Sequence, residues 1–137
     1  MFLLDTNVVS ELRKPRPHGA VVAWFNLVDE SHLRLSAVTL GEIQAGIELT
    51  RQQDPDKAAE LDRWADQVSD TYNVLPMGAE VFRQWARFMH RKSDALIEDA
   101  MIAATAHVHR LTVVTRNVSD FKVFGVMLVN PFKTIRP

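Results

Sequence analysis

Phe2-Leu3-Leu4-Asp5-Thr6-Asn7-Val8-Val9-Ser10-Glu11-Leu12 is the stretch that decides the fold class. Phe2-Leu3-Leu4 is a short, fully apolar run, the pattern of a strand buried on both faces in a parallel sheet. Asp5 stops it. Thr6 can then cap a helix that runs to about Arg13. A strand that passes straight into a helix predicts the first unit of an α/β fold.

The rest of the chain repeats this alternation. Lys14-Pro15-Arg16-Pro17-His18-Gly19 reads as a loop from its prolines and glycine, and Ala20 to Val28 as a second helix. Leu33-Arg34-Leu35-Ser36 alternates like a strand, and Thr39 is expected to open a third helix carrying Leu40, Ile43 and Ile47. Asp54-Pro55 opens a fourth, with proline in the first turn and an apolar stripe of Ala58, Leu61, Ala65, Val68 and Tyr72 at helical spacing. Asn73-Val74-Leu75-Pro76 is a short strand. A fifth helix is expected to bury Phe82, Trp85 and Met89. Ile97 to His109 is alanine-rich and strongly helical. Leu111 to Thr115 is a β-branched strand, Arg116 to Lys122 a polar loop, and Gly125 to Val129 a last strand stopped by Asn130-Pro131. The expected architecture is a three-layer α/β/α sandwich around a central parallel sheet. Residues 1–137 are expected to form a single domain.

Composition removes several function classes. Cysteine is absent, which excludes disulfides, thiolate chemistry and cysteine–zinc sites. The net charge is −1, so any cationic footprint for nucleic acid must be local. No apolar run approaches the ~20 residues of a membrane helix. The start lacks a basic lead and meets an acid early, unlike a secretory signal; a cytoplasmic protein is expected. His107 and His109 point to different helix faces, and His18, His32 and His90 have no ligand spacing around them, which argues against zinc. There is no Gly-x-Ser-x-Gly elbow and no phosphate-binding Gly-x-x-x-x-Gly-Lys loop.

Four acids remain as candidates, each with a plain structural alternative. Asp5 follows a buried strand, at the edge where open parallel sheets place their crevice; equally, it or Thr6 caps the next helix. Thr39-Leu40-Gly41-Glu42 matches a capping box, in which Glu42 reaches back to the first helical amide. Asp99 lies in the first turns of a helix, where it offsets the helix dipole. Asp120, in Thr115-Arg116-Asn117-Val118-Ser119-Asp120, is a fair turn residue; at the end of a strand adjacent to the first, Thr115, Asn117 and Asp120 would instead lie beside Asp5. If all four acids share one crevice they repel, at about 4 kcal/mol per pair ~4 Å apart. Oxygen-only donors of this kind suit a hard cation, Mg²⁺ or Mn²⁺.

Taken together these residues resemble the PIN domain, and specifically the VapC/FitB-like toxins of bacterial toxin–antitoxin pairs. The resemblance is carried by Leu3 to Leu12, by Ser36-Ala37-Val38-Thr39-Leu40-Gly41-Glu42-Ile43-Gln44-Ala45-Gly46, by Asp99-Ala100-Met101-Ile102-Ala103-Ala104-Thr105-Ala106 and by Leu111 to Phe121, in that order. Between about Gln52 and Lys92 only helical character matches. The resemblance implies a Mg²⁺- or Mn²⁺-dependent endoribonuclease, commonly a homodimer, silenced by a small antitoxin whose C-terminal segment covers the acidic pocket. It implies that Asp5, Glu42 and Asp99 are the main metal-binding and catalytic acids and Asp120 a more variable fourth. Thr6, Asn7, Thr115 and Asn117 would orient water or ligands. Glu98 departs from the family pattern, which has proline or a small residue just before the acid at Asp99; Glu98 is expected to face solvent or support the site from outside.

RNA approaching an acidic pocket needs cations nearby. Arg83, Arg87 and Arg91 are spaced four apart with Lys92 adjoining; Arg13, Lys14 and Arg16 form a second cluster; and Arg116 is nearest the acids in sequence. Two other readings compete with the nuclease. One is a phosphatase with Asp5 as nucleophile, for which Asn7 stands where a second acid is wanted. The other is a non-catalytic binding module or receiver domain.

Overall fold

A computed structural model describes residues 1–133. Strands β1 (Phe2–Leu4), β2 (Leu33–Ser36), β3 (Asn73–Leu75), β4 (Thr112–Val114) and β5 (Leu128–Val129) form one sheet in the order β3-β2-β1-β4-β5, parallel throughout. The chain builds outward from β1 to β3, then crosses back to lay β4 on the other side of β1. The strand order therefore reverses between β1 and β4, and such a switch point opens a crevice beyond the carboxyl ends of the two strands.

The helices are α1 (Thr6–Arg13), α2 (Gly19–Leu27), α3 (Ala37–Gln53), α4 (Pro55–Thr71), α5 (Ala79–Met89), α6 (Ile97–His109) and α7 (Val118–Lys122). Alternate residues of each central strand enter different cores. Leu4 and Val114 pack with Val8, Trp24, Leu35, Ile43 and Ile47. Leu3 and Val113 pack with Ala103, Ala106, Ile102 and Phe121. One core is thus roofed by α1 to α4, and the other by α5 to α7. The expected three layers are present, because a strand buried on both faces needs apolar cover on each. The alanines at 100, 103, 104 and 106 are fully buried, which lets α6 lie close to the sheet.

Several local expectations need correction. Asp5, not Thr6, caps α1: its Oδ1 accepts from the Thr6 amide at 2.8 Å. Ser36 caps α3 through the Val38 amide, so this helix begins at Ala37 and Thr39 is a buried residue inside it. The capping box at Thr39–Glu42 therefore does not form. Phe82 is 45% exposed; α5 buries Val81 instead and packs Trp85 and Met89 against the second core. Residues 116–122 are not all loop, since α7 occupies Val118–Lys122. Strand β5 keeps only Leu128–Val129 of the expected run, because Gly125 turns the chain with φ +69. Asp54 and Pro55 start α4 as expected, with Asp54 Oδ1 accepting from the Lys57 amide.

Ile102 is fully buried where α6 meets the sheet. Ile102→Ala should lower unfolding free energy by about 2–5 kcal/mol, read as a lower denaturant midpoint with an unchanged slope. A loss below about 0.5 kcal/mol would mean that this layer is loosely packed.

Candidate active site

Asp5 sits at the carboxyl end of β1, beside the end of β4, and is 4% exposed. A carboxylate so enclosed must find donors within the protein. Its Oδ1 takes the Thr6 amide. Its Oδ2 takes the Thr115 hydroxyl at 2.7 Å and the Asn7 side-chain amide at 3.1 Å. Asn7 also donates to Thr115 Oγ1 at 3.4 Å and accepts from the Arg116 amide through Oδ1 at 3.2 Å. The Asn117 amide donates to Thr115 Oγ1 at 2.9 Å. Residues 115–117 are thereby tied to the start of α1. Burial raises the Asp5 pKa, and the bonds from Thr115, Thr6 and Asn7 oppose that rise.

Glu42 lies in the second turn of α3, where Oε1 accepts the Thr6 hydroxyl at 2.8 Å. Thr6 Oγ1 is also 3.3 Å from Thr39 Oγ1. Burial is the main cause of a raised Glu42 pKa; the Thr6 bond opposes it, and the charges of Asp5 and Glu98 add to it. Asp99, in the first turn of α6, is half-buried, and no donor among the described residues reaches it. Its pKa is pushed up to about 6, first by burial and then by the charges of Asp5, Asp120, Glu42 and Glu98. Glu98 itself is exposed.

The sheet edge thus gathers Asp5, Glu42, Asp99 and Asp120 into one electrostatic neighbourhood, with Thr6, Asn7, Thr115 and Asn117 threaded between them. The residues differ in how firmly they are held. Asp5 and Glu42 are fixed by hydrogen bonds, whereas Asp99 and the exposed Asp120 accept no side-chain bond among the described residues. In these side-chain positions no three acidic or imidazole groups among the described residues stand close enough to enclose one ion. Enclosure requires Asp99 and Asp120, the unrestrained pair, to turn inward toward Asp5. The donor set otherwise suits a divalent cation: all oxygen, several carboxylates, and mutual repulsion that a cation would relieve.

The expected cations are placed less uniformly. Arg91 lies beyond the end of α5 with φ 61, so it does not continue a stripe with Arg83 and Arg87. Lys14 is engaged by Glu11 at 2.9 Å. Arg116 lays its guanidinium over Phe132, 4.5 Å from the ring centroid. Sequence reasoning passed over two polar residues here. Thr39 was taken for a cap but is buried beside Thr6. Glu11 is buried, and accepts from Lys14 Nζ and the His18 amide, which lower its pKa. A glutamate on the inward side of an apolar helix was the available signal.

The PIN domain family model matches residues 2–125. The chain belongs to the PIN-domain family. Among relatives of this PIN domain, VapC ribonuclease Y4jK of Sinorhizobium fredii is 34% identical over 97% of this chain and 99% of its own length. Toxin FitB of Neisseria gonorrhoeae is 34% identical over 96% of this chain and 99% of its own. The solved structure of FitAB bound to an IR36 DNA fragment superposes with a TM-score of 0.85 at 33% identity, covering 99% of both chains.

The crowding of acids in this PIN domain makes its stability depend on pH. A folded-state pKa of about 6 for Asp99, against 3.8 for the unconstrained group, means that the folded state holds the extra proton between those values. Stability from this group is full below the lower value and is lost as pH rises through the upper one. In chelator, Asp99→Asn should melt higher than wild type at pH 7.5, and the gap should close toward pH 4. A variant that melts lower at pH 7.5 would show that the Asp99 charge is compensated.

Proposed function

We propose that this chain is a divalent-cation-dependent endoribonuclease and the toxin of a toxin–antitoxin pair. The observation that carries the reading is the meeting of Asp5, Glu42, Asp99 and Asp120 at the switch point of the sheet. Family membership and relatives named as a VapC ribonuclease and as toxin FitB support it. An antitoxin partner is supported by the two-component FitAB complex.

In this reading Asp5, Asp99, Glu42 and Asp120 would hold Mg²⁺ or Mn²⁺. The ion would neutralise the acids, polarise a phosphodiester oxygen and lower the pKa of a water. Asp5 is held in one rotamer by its three donors, so little is lost in ordering it at the moment of reaction. Thr6 fixes Glu42 Oε1 and leaves Oε2 to accept a hydrogen from the attacking water. That water's oxygen bonds to phosphorus as the bond to the leaving ribose oxygen breaks, and the leaving oxygen takes a proton from solvent. Arg116, near the acids, could contact the phosphate.

The phosphatase reading fares poorly on geometry. An attacking carboxylate needs an accessible oxygen, but both Asp5 oxygens already accept hydrogen bonds and the residue is buried. Among the described residues, no helix is long and apolar enough to cross a membrane.

The purified chain should cleave single-stranded RNA in Mn²⁺ or Mg²⁺ and not in EDTA. Asp5→Asn and Asp99→Asn should each cut the rate by roughly 100-fold or more. Metal should raise the wild-type Tm, and much less that of Asp5→Asn. Undiminished cleavage in EDTA, or by both variants, would overturn the reading. Glu42→Gln separates a chemical role from a packing one: a large rate loss with a small Tm change is expected.

A further inference from the structure

The acidic cluster does not end at Glu42. Thr6 and Glu42 form one end of a groove of about 280 Å³ between α1, α3 and α4, floored by Ile43, Gly46 and Leu61. Arg13 and Trp64 close its far end. The same two residues line a second cavity of about 580 Å³, together with Lys57 and Arg63. The two hollows are therefore continuous across the Arg13–Trp64 pair.

The second cavity has a distinct chemistry. Three cations stand there against one carboxylate, Glu60, which is already paired with Lys57 at 3.1 Å. Arg13 and Arg63 are exposed and have no ion-pair partner among the described residues. Arg13 Cζ lies 5.8 Å from the centre of the half-buried Trp64 ring. An aromatic surface beside free guanidinium groups is the combination that holds unpaired nucleotides, by base stacking and by phosphate contact. An acidic catalytic edge repels a polyanion, so cations displaced along the strand's path are what retain it.

Resting on the nuclease reading, we propose that this groove is a single-stranded RNA subsite. The strand leaves the acids past Thr6 and Glu42, crosses over Gly46, stacks a base on Trp64 and places a phosphate between Arg13 and Arg63. An acidic peptide would satisfy the cations too, but nothing in it requires the channel to lead to a cluster of carboxylates. A nucleic-acid strand with its scissile phosphate at those carboxylates must continue somewhere, and this groove adjoins them.

The test measures binding and cleavage of single-stranded RNA oligonucleotides of increasing length by the full-length protein. A 2′-deoxy or phosphorothioate analogue is used for equilibrium binding. Wild-type affinity should rise with length until the strand spans the groove. In the double variant Arg13→Gln/Arg63→Gln that gain should disappear, and the slope of log affinity against log salt should flatten by about 1.4, at ~0.7 per lost single-strand phosphate contact. Trp64→Leu should weaken binding of the long analogue roughly ten-fold. Because Trp64 also packs on the core, its Tm is measured alongside, and the two surface arginines carry the test if it unfolds. Gly46→Leu adds a side chain where a Cβ meets nothing within 4 Å; it should obstruct the channel and raise KM for long RNA more than it lowers kcat. Unchanged length dependence and salt slope in the arginine variant would overturn the subsite while leaving the nuclease intact. Loss of affinity for the antitoxin without any change toward RNA would overturn it in favour of a peptide occupant. Failure of wild type to cleave any RNA with metal present would instead remove the nuclease reading on which the subsite rests.

Discussion

A carboxylate buried between two parallel strand ends is the constraint around which this molecule is arranged. Asp5 is nearly inaccessible, and a charge in that position is tolerated only if protein dipoles replace water. The replacements come from distant parts of the chain: the Thr6 amide at the start of α1, the Asn7 side chain one residue on, and the Thr115 hydroxyl beyond β4. The hydrogen bonds that solvate Asp5 also join residues 115–117 to α1. Removing Asp5 would leave Thr115 and Asn7 without their common acceptor, so the residue holds the edge together as well as supplying charge.

The other acids repeat this theme with progressively less support. Glu42 has one hydroxyl donor, and Asp99 has none among the described residues. Protonation preference follows the same gradient, with Asp99 displaced most, to about 6. A cluster organised this way is under electrostatic tension at neutral pH. Opposite charge can relieve it, whether from a metal ion, a proton or a cationic side chain delivered by a partner. The unsupported acids are the ones free to rearrange when such a charge arrives, while Asp5 supplies a fixed reference. That division explains how the site can be built for a cation although no three acids already enclose one.

The sheet was legible because its strands are short apolar runs broken by punctuating residues. Phe2-Leu3-Leu4, Asn73-Val74-Leu75 and the β-branched run before Thr115 have few alternatives at that length. Helix starts were less legible, because Ser36 and Thr39 are both competent caps and propensity does not choose between them. The choice was made by tertiary structure: Thr39 faces Thr6 inside the molecule, and Ser36 ends a strand whose register is set by β1 and β3. Asp5 and Asp120 could be placed at one edge from strand adjacency alone. The link from Thr6 to Glu42 could not, since it depends on how α3 rotates as it leaves β2. Phe82 misled because a helical stripe specifies a face, and the face that α5 turns inward is centred on Val81 and Trp85.

The site draws its acids from both sides of the sheet. Leu3 belongs to one core and Leu4 to the other, so β1 delivers Asp5 at the seam between them. Glu42 arrives on a helix of the first layer, and Asp99 on a helix of the second. Neither layer alone assembles the cluster; the acids meet only when α3 and α6 are both docked. The buried alanines of α6 then have a consequence for chemistry as well as packing. They set how closely the helix carrying Asp99 approaches the sheet, and a bulkier side chain at Ala103 or Ala104 would lift that acid away from Asp5 without touching either. Repulsion among the acids works against this docking, and apolar burial beneath them must exceed it. That opposition accounts for a densely packed, alanine-rich interface directly under the most highly charged part of the surface.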